Sequence, residues 1–148
     1  MSRDSRYDIL FEPVAIGPVT ARNRFYQVPH CNGMGHNMPN SVAAMRGIKA
    51  EGGWAVVATE EWDIHASSDV LPYAEARLWD EGDQNRLALM ADQVHAYDSL
   101  AAIELVHSGH NVSNRYSRLP VLGVSDSAVN SFDPVQACAM TKRDIADV

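Results

Sequence analysis

Three short apolar runs, each ending in polar or reactive residues and separated by two segments of helical periodicity, restrict this chain more than any other feature of its sequence. The first, Arg24-Phe25-Tyr26-Gln27-Val28, is aromatic and β-branched and stops at Pro29, as a buried strand does when it passes into a loop. The second, residues 54–59, is almost continuously apolar, which fits a strand covered on both faces, and Glu60, Glu61 and Trp62 follow at its end. The third, residues 100–106, is apolar except for Glu104, and Ser108-Gly109-His110 opens a loop after it. Between the first two, Val42, Ala43, Met45, Ile48 and Ala50 recur at near-helical spacing behind Ser41 as a cap, and Gly52-Gly53 ends the segment. An irregular stretch with Ser67, Ser68, Pro72 and Gly82 then leads to a second helical stripe over residues 84–97, formed by Leu87, Leu89, Met90, Val94 and Tyr97.

This alternation is that of repeated βαβ units in a parallel α/β sheet. A flavodoxin-like open sheet is one solution. A (β/α)8 TIM barrel is favoured, because polar residues sit at the C-terminal end of all three strands, where the catalytic face of such a barrel lies. A barrel needs ~250 residues and eight strands. Residues 1–148 are therefore expected to form an incomplete N-terminal portion of one, exposing an unpaired strand edge and apolar helix-facing surface, and to associate into a homo-oligomer. Two smaller elements are legible: a hairpin turning at Gly17-Pro18, and a capping box at Thr141-Lys142-Arg143-Asp144 that starts a helix.

Hydrophobic residues make up 46% of the chain, enough for one core. A formal charge of −7 argues against a nucleic-acid surface, which needs clustered Lys and Arg. No run approaches the ~18 apolar residues of a membrane helix, and Met1-Ser2-Arg3-Asp4 leads into no signal-peptide core, so no membrane is expected and the cytoplasm is the expected compartment. Cys31 and Cys138 stand far apart in such a chain, and no structural disulfide is expected between them.

Glu104 is the most informative single residue, since a carboxylate inside an apolar strand must be paired, protonated or bound to a ligand. Either it reaches a loop arginine such as Arg115, or it faces a site. Cys31 lies between His30 and a flexible Gly33-x-Gly35 loop, where a neighbouring imidazolium would favour the thiolate; the competing reading is a small buried hydrophobe, which is what Cys138 is expected to be. His107-x-x-His110 and Cys31-x4-His36 contain metal-ligand residue types but neither a Cys pair nor a His-Glu-x-x-His helix, so no metal site is expected.

Arg22-Asn23-Arg24-Phe25-Tyr26-Gln27-Val28-Pro29-His30-Cys31 resembles the opening strand of the trimethylamine/dimethylamine dehydrogenase family, within the old yellow enzyme-like flavoproteins. The resemblance continues through Tyr7-Asp8-Ile9-Leu10-Phe11-Glu12-Pro13, Lys49-Ala50-Glu51-Gly52-Gly53-Trp54-Ala55, Thr59-Glu60, Leu78-Trp79-Asp80-Glu81-Gly82-Asp83 and Glu104-Leu105, and covers nearly the whole chain to about Arg118. It implies FMN held as a 6-S-cysteinyl adduct at Cys31, with Val28, Pro29 and His30 lining the isoalloxazine and Thr59 on the neighbouring strand. Glu104 takes the place of a glutamine that bonds the flavin pyrimidine edge. Glu61 stands where trimethylamine dehydrogenases have a tyrosine of an aromatic bowl. An acid there loses the cation–π face but pairs with an N–H-bearing cation, implying a secondary or primary amine such as dimethylamine, histamine or an N-methylated amino acid. Trp62 is an alternative aromatic wall, although strand alternation points it the other way. The family's catalytic His, Tyr and Asp are expected beyond Val148, as is its 4Fe-4S cluster, which this chain's two cysteines cannot ligate. The implied partners are the amine and an electron-transfer flavoprotein or similar acceptor. The alternatives are an ene-reductase of the old yellow enzyme or dienoyl-CoA reductase type, and an inactive truncated fragment.

Overall fold

The computed structural model describes residues 4–70, 75–129 and 133–148; Pro72 of the irregular stretch and Met1 to Arg3 lie outside the described residues. Near the start, β1 (Val14–Ile16) and β2 (Val19–Ala21) form an antiparallel hairpin, with Gly17 at φ 56° in the left-handed region the tight turn requires.

The main sheet is parallel. β3 (Tyr26–Gln27) pairs with the start of one edge of β4 (Val56–Asp63), and β5 (Ala76–Arg77) with the end of that edge. β6 (Leu100–Val106) runs along the other edge. Helix α1 (Pro39–Glu51) joins β3 to β4, and α2 (Glu81–His95) precedes β6. The two helices pack against each other and share one core: Val42, Ala43 and Ala50 of α1, Val57 of β4, and Met90 and Val94 of α2, with Ala101 of β6 at its margin. Strands that follow in sequence are thus neighbours in space, and both connecting helices cover one face. An open doubly wound sheet places helices on both faces and reverses its strand order. The arrangement is instead singly wound, as in a barrel.

Several boundaries differ from the sequence reading. Helix α1 starts at Pro39 rather than behind Ser41, which lies within it, because proline's fixed φ suits the first helical position; Met38 at the cap makes no side-chain bond. Helix α2 starts at Glu81 because Asp80 accepts the Asp83 N–H and caps it. β4 continues through Glu60, Glu61 and Trp62 to Asp63, since β5 and β6 pair with its last residues. β3 is short and not buried on both faces: Gln27 is buried, but Tyr26 and Val28 are exposed on the other side.

Ala58 pairs with Ala102, but the next pair is Glu61 with Glu104. Thr59 and Glu60 together therefore oppose Ile103 alone, which is a β-bulge in β4. A small three-stranded sheet, β7 (Leu122–Gly123), β9 (Gln136–Ala139) and β8 (Ser127–Ala128), closes over Val121, Val129 and Ala137. Cys138 is exposed on β9 rather than buried, because alternation turns Ala137 inward instead. Thr141 and Asp144 form the expected capping box at the start of α3 (Lys142–Asp147). Among the described residues, the far edge of β6 pairs with no strand, and Ile103 and Leu105 are exposed on its outer face. Among those residues, no helix is long and apolar enough to cross a membrane.

Candidate functional site at the strand ends

The bulge decides which carboxylates face which way. Val57 of β4 and its partner Ala101 both face the helices, so their neighbours Ala58 and Ala102 face the opposite, barrel-inner side, and alternation along β6 puts Glu104 there too. Without the extra residue Glu60 would stand opposite Glu104; with it, Glu61 does. Thr59 fixes this geometry. Its hydroxyl accepts the Glu104 backbone N–H at 3.2 Å and donates to the Glu60 carbonyl at 2.5 Å, so the buried side chain stitches the bulge to β6. Trp62 is buried beside Gly35, Pro39 and Val42, on the helix side, as alternation requires.

Glu60 is directed away from the inner face and is fully buried, with the Asn32 backbone N–H and the Arg46 charge facing its carboxyl. Burial pushes it above the ordinary carboxylate range, with the Arg46 charge opposing. Arg46 occupies a position in the apolar stripe of α1 and is also fully buried. Its guanidinium donates to Gln27 Oε1 at 3.3 Å and to the His30 carbonyl at 2.9 Å, and one amine lies 3.2 Å from His30 Nε2. His30 is thereby anchored to α1. Burial, together with the Arg46 and Lys49 charges, holds its pKa below the usual value. The expected imidazolium beside the thiol is therefore disfavoured, which weakens the support His30 would give a thiolate at Cys31.

Cys31 is exposed as a residue, but packing around its sulfur and the adjacent Glu75 carboxylate push the thiol up to about 11. Sγ donates to Glu75 Oε1 at 3.6 Å, and the Glu61 backbone N–H faces the sulfur. Glu75 is pushed up to about 8, first by burial and then by the Glu61 carboxyl hydrogen-bonded to it. Asp63, at the end of β4, rises to about 6 through burial although Ser68 Oγ and the Val70 N–H donate to it at 3.1 Å each. Asn114 ties the loop after β4 to the loop after β6, donating to the Ser67 carbonyl at 2.9 Å and accepting the Asp69 N–H at 2.8 Å.

Glu104 is half-buried on the inner face, and Arg115, its suggested ion-pair partner, pairs with Asp133 instead. The ion-pair reading of Glu104 is thus corrected. His107 Nε2 lies 3.0 Å from Ser67 Oγ, whose other side meets His65 Nδ1 at 2.8 Å. The structure brings Cys31, Glu61 and Glu104 to one end of the sheet, keeps Thr59 behind them in the strand and holds His30 toward α1. Sequence reasoning missed Glu75, which lies in an irregular stretch without periodicity, and Arg46, whose only signal was an arginine where α1 otherwise turns an apolar face.

Residues 9–148 match the NADH:flavin oxidoreductase / NADH oxidase family. The chain belongs to this family. Dimethylamine dehydrogenase from Hyphomicrobium sp. (strain x) is 54% identical over 139 residues, covering 93% of this chain and 19% of its own length. Histamine dehydrogenase from Rhizobium sp. 4-9 superposes with a TM-score of 0.93 at 50% identity, covering 98% of this chain and 22% of that one. The 6-hydroxypseudooxynicotine amine oxidase from Pseudomonas geniculata N1 gives 0.92 at 41% identity, with 99% and 22% covered. The chain thus spans about a fifth of the length of these relatives. As a member of the NADH:flavin oxidoreductase family it carries the opening strands of an α/β TIM barrel, and the consecutive order β3, β4, β6 is the start of that barrel's winding.

Proposed function

We propose that residues 1–148 are the N-terminal part of the FMN-binding TIM-barrel domain of an amine dehydrogenase, and that the whole protein oxidises a small secondary or primary amine such as dimethylamine or histamine. The observation that carries this reading is the meeting of Glu61 and Glu75 beside Cys31, with Glu104 on the next strand. A site that holds one of its carboxyls protonated up to about pH 8 is short of positive charge, and a substrate ammonium supplies it. Glu61 is the residue proposed to meet that ammonium.

The residues present fit FMN. An exposed apolar Val28 and the thiol of Cys31 lie at the end of β3, and a hydrogen-bond acceptor, Glu104, lies on the inner face of β6. Val28, Pro29 and His30 would line the ring, Cys31 would form the 6-S-cysteinyl bond, and Glu104 would face the pyrimidine edge, its backbone positioned by Thr59. FMN bound there supplies the acceptor for the hydrogen and two electrons removed from the amine. Arg46 and Gln27 keep the Val28-Pro29-His30-Cys31 turn fixed against α1, so that the thiol is presented from a rigid support. In the whole protein we assign the catalytic His, Tyr and Asp to later strands. There a 4Fe-4S centre would pass the electrons on to an electron-transfer flavoprotein or similar acceptor, in the cytoplasm.

The test is the flavin content of the full-length protein after denaturation. The wild type is expected to keep its yellow colour on the denatured polypeptide and Cys31→Ala to lose it. Flavin released intact from the wild type would sink the amine-dehydrogenase reading in favour of a reversible-flavin ene-reductase.

A further inference from the structure

The thiol of Cys31 does not reach a cofactor as a free thiolate. It is flanked by two groups of opposite hydrogen-bonding character: Glu75 Oε1, 3.6 Å away, accepts its proton, and the Glu61 backbone N–H points at the sulfur. A thiol between an acceptor carboxylate and an amide donor is arranged as a nucleophile beside its base: the carboxylate takes the proton, and the N–H steadies the charge left on sulfur. Glu75 is suited to this work. Burial and the adjacent Glu61 carboxyl hold it up to about 8, and no guanidinium or ammonium among the described residues fixes it as an anion, so it works as the base in its ionised form, whose share grows as pH rises toward that value. His30, the obvious alternative base, is engaged by Arg46, Gln27 and the Val28 carbonyl.

We propose that Glu75 is the proton acceptor that activates Cys31 for bonding to the flavin, and that the Glu61 backbone N–H supports the developing thiolate. The inference rests on the FMN-attachment reading above. In the step, the S–H bond breaks and its proton passes to Glu75, and a sulfur–carbon bond replaces the C–H bond at position 6 of the ring. That second proton leaves to solvent. The two electrons go to dioxygen, which with two protons becomes hydrogen peroxide.

Glu75→Gln separates this role from the effect of Glu75 on thiol acidity, because the two move in opposite directions. Removing the acidic neighbour makes the thiol more acidic and raises the thiolate fraction, whereas removing the base slows the protein's own attachment step. The full-length protein is produced without flavin, and two rates are followed: alkylation of Cys31 by iodoacetamide across pH, and appearance of protein-bound FMN by intact mass after FMN is added. Expected for Glu75→Gln, above about pH 8 where the wild-type carboxyl is ionised, is faster alkylation with attachment slowed on the order of a hundredfold, while FMN still binds reversibly. Glu75→Asp, which keeps a carboxylate on a shorter stem, is expected to recover part of the attachment rate, and it carries the test if the Gln variant fails to bind FMN. Attachment in Glu75→Gln at or above the wild-type rate overturns the proposal, since thiol acidity alone would then set the rate. A wild type that holds FMN only reversibly brings down the attachment reading itself, whatever the variants do.

Discussion

Replacing Glu75 by Gln should stabilise the fold above about pH 8 and leave it unchanged near pH 4. The carboxyl is pushed from 4.5 to about 8 by burial and by Glu61. Between those values the folded chain keeps a proton that the unfolded chain releases, so the native state binds more protons and its stability falls as pH rises through that window. The span of about 3.5 pH units, at ~1.4 kcal/mol each, gives a ceiling of ~5 kcal/mol. Glu75 is only half-buried, and solvent screening reduces this to about 2 kcal/mol. The neutral amide has no such dependence. It should match the wild type at pH 4 and exceed it by about 2 kcal/mol at pH 9, which for a barrel of ~250 residues is about 4 °C in Tm. Scanning calorimetry of the full-length protein at both pH values measures this. A saturating amine should narrow the difference at pH 9, because its positive charge relieves the wild-type carboxyls. A Tm difference of the same size at both pH values would refute the argument, since it would owe nothing to ionisation.

Other perturbations test the frame around the site. Asp83 is fully buried and receives Arg86 at 2.6 Å, Arg77 at 3.3 Å and the Trp79 N–H at 3.0 Å; Asp83→Asn leaves two arginines without their counter-charge and should cost about 3 kcal/mol in urea unfolding. Gly53→Ala forces a side chain into φ 101° and should cost on the order of 1–3 kcal/mol by the same assay, even though a Cβ there would meet no atom. Glu61→Gln should weaken amine binding by about tenfold with flavin attachment intact, read as a change in Kd by titration of the holoenzyme.

The fold was legible where periodicity was strong. β6 matches the apolar run at residues 100–106, and the two helical stripes became α1 and α2, which together dictate a singly wound sheet. Ends were less legible because they depend on caps and partners: Asp80 starts α2 earlier than its apolar stripe does, and pairing with β5 and β6 carries β4 past its apolar run. At the site, Cys31 and Glu104 could be found as reactive or ionisable groups in unusual company. The electrostatics around Cys31 could not be read, because burial sets them first and then Glu75 and Glu61, which come from distant positions in the chain, while burial and Arg46 hold the pKa of the adjacent His30 down.

The bulge shows why a strand ending in consecutive acids is hard to interpret from sequence. A period of two along β4 from Val57 assigns Glu60 to the inner face and Glu61 to the helices, and that assignment makes Glu61 a structural acid and Glu60 the group near a ligand. One extra residue reverses both. Glu60 is then sealed beside Arg46, while Glu61 is set opposite Glu104 and against Glu75. The hydroxyl of Thr59 locks the reversal by bonding both strands, so Thr59 acts on the site through geometry although its own side chain is closed to it. Thr59→Val keeps the shape and removes both hydrogen bonds; it should cost about 1–3 kcal/mol and, if the bulge relaxes, rotate Glu61 off the inner face. Its diagnostic is selective: amine binding should weaken about as much as in Glu61→Gln, whereas the variant would leave amine binding untouched if the register were set by the β4 and β6 backbones alone.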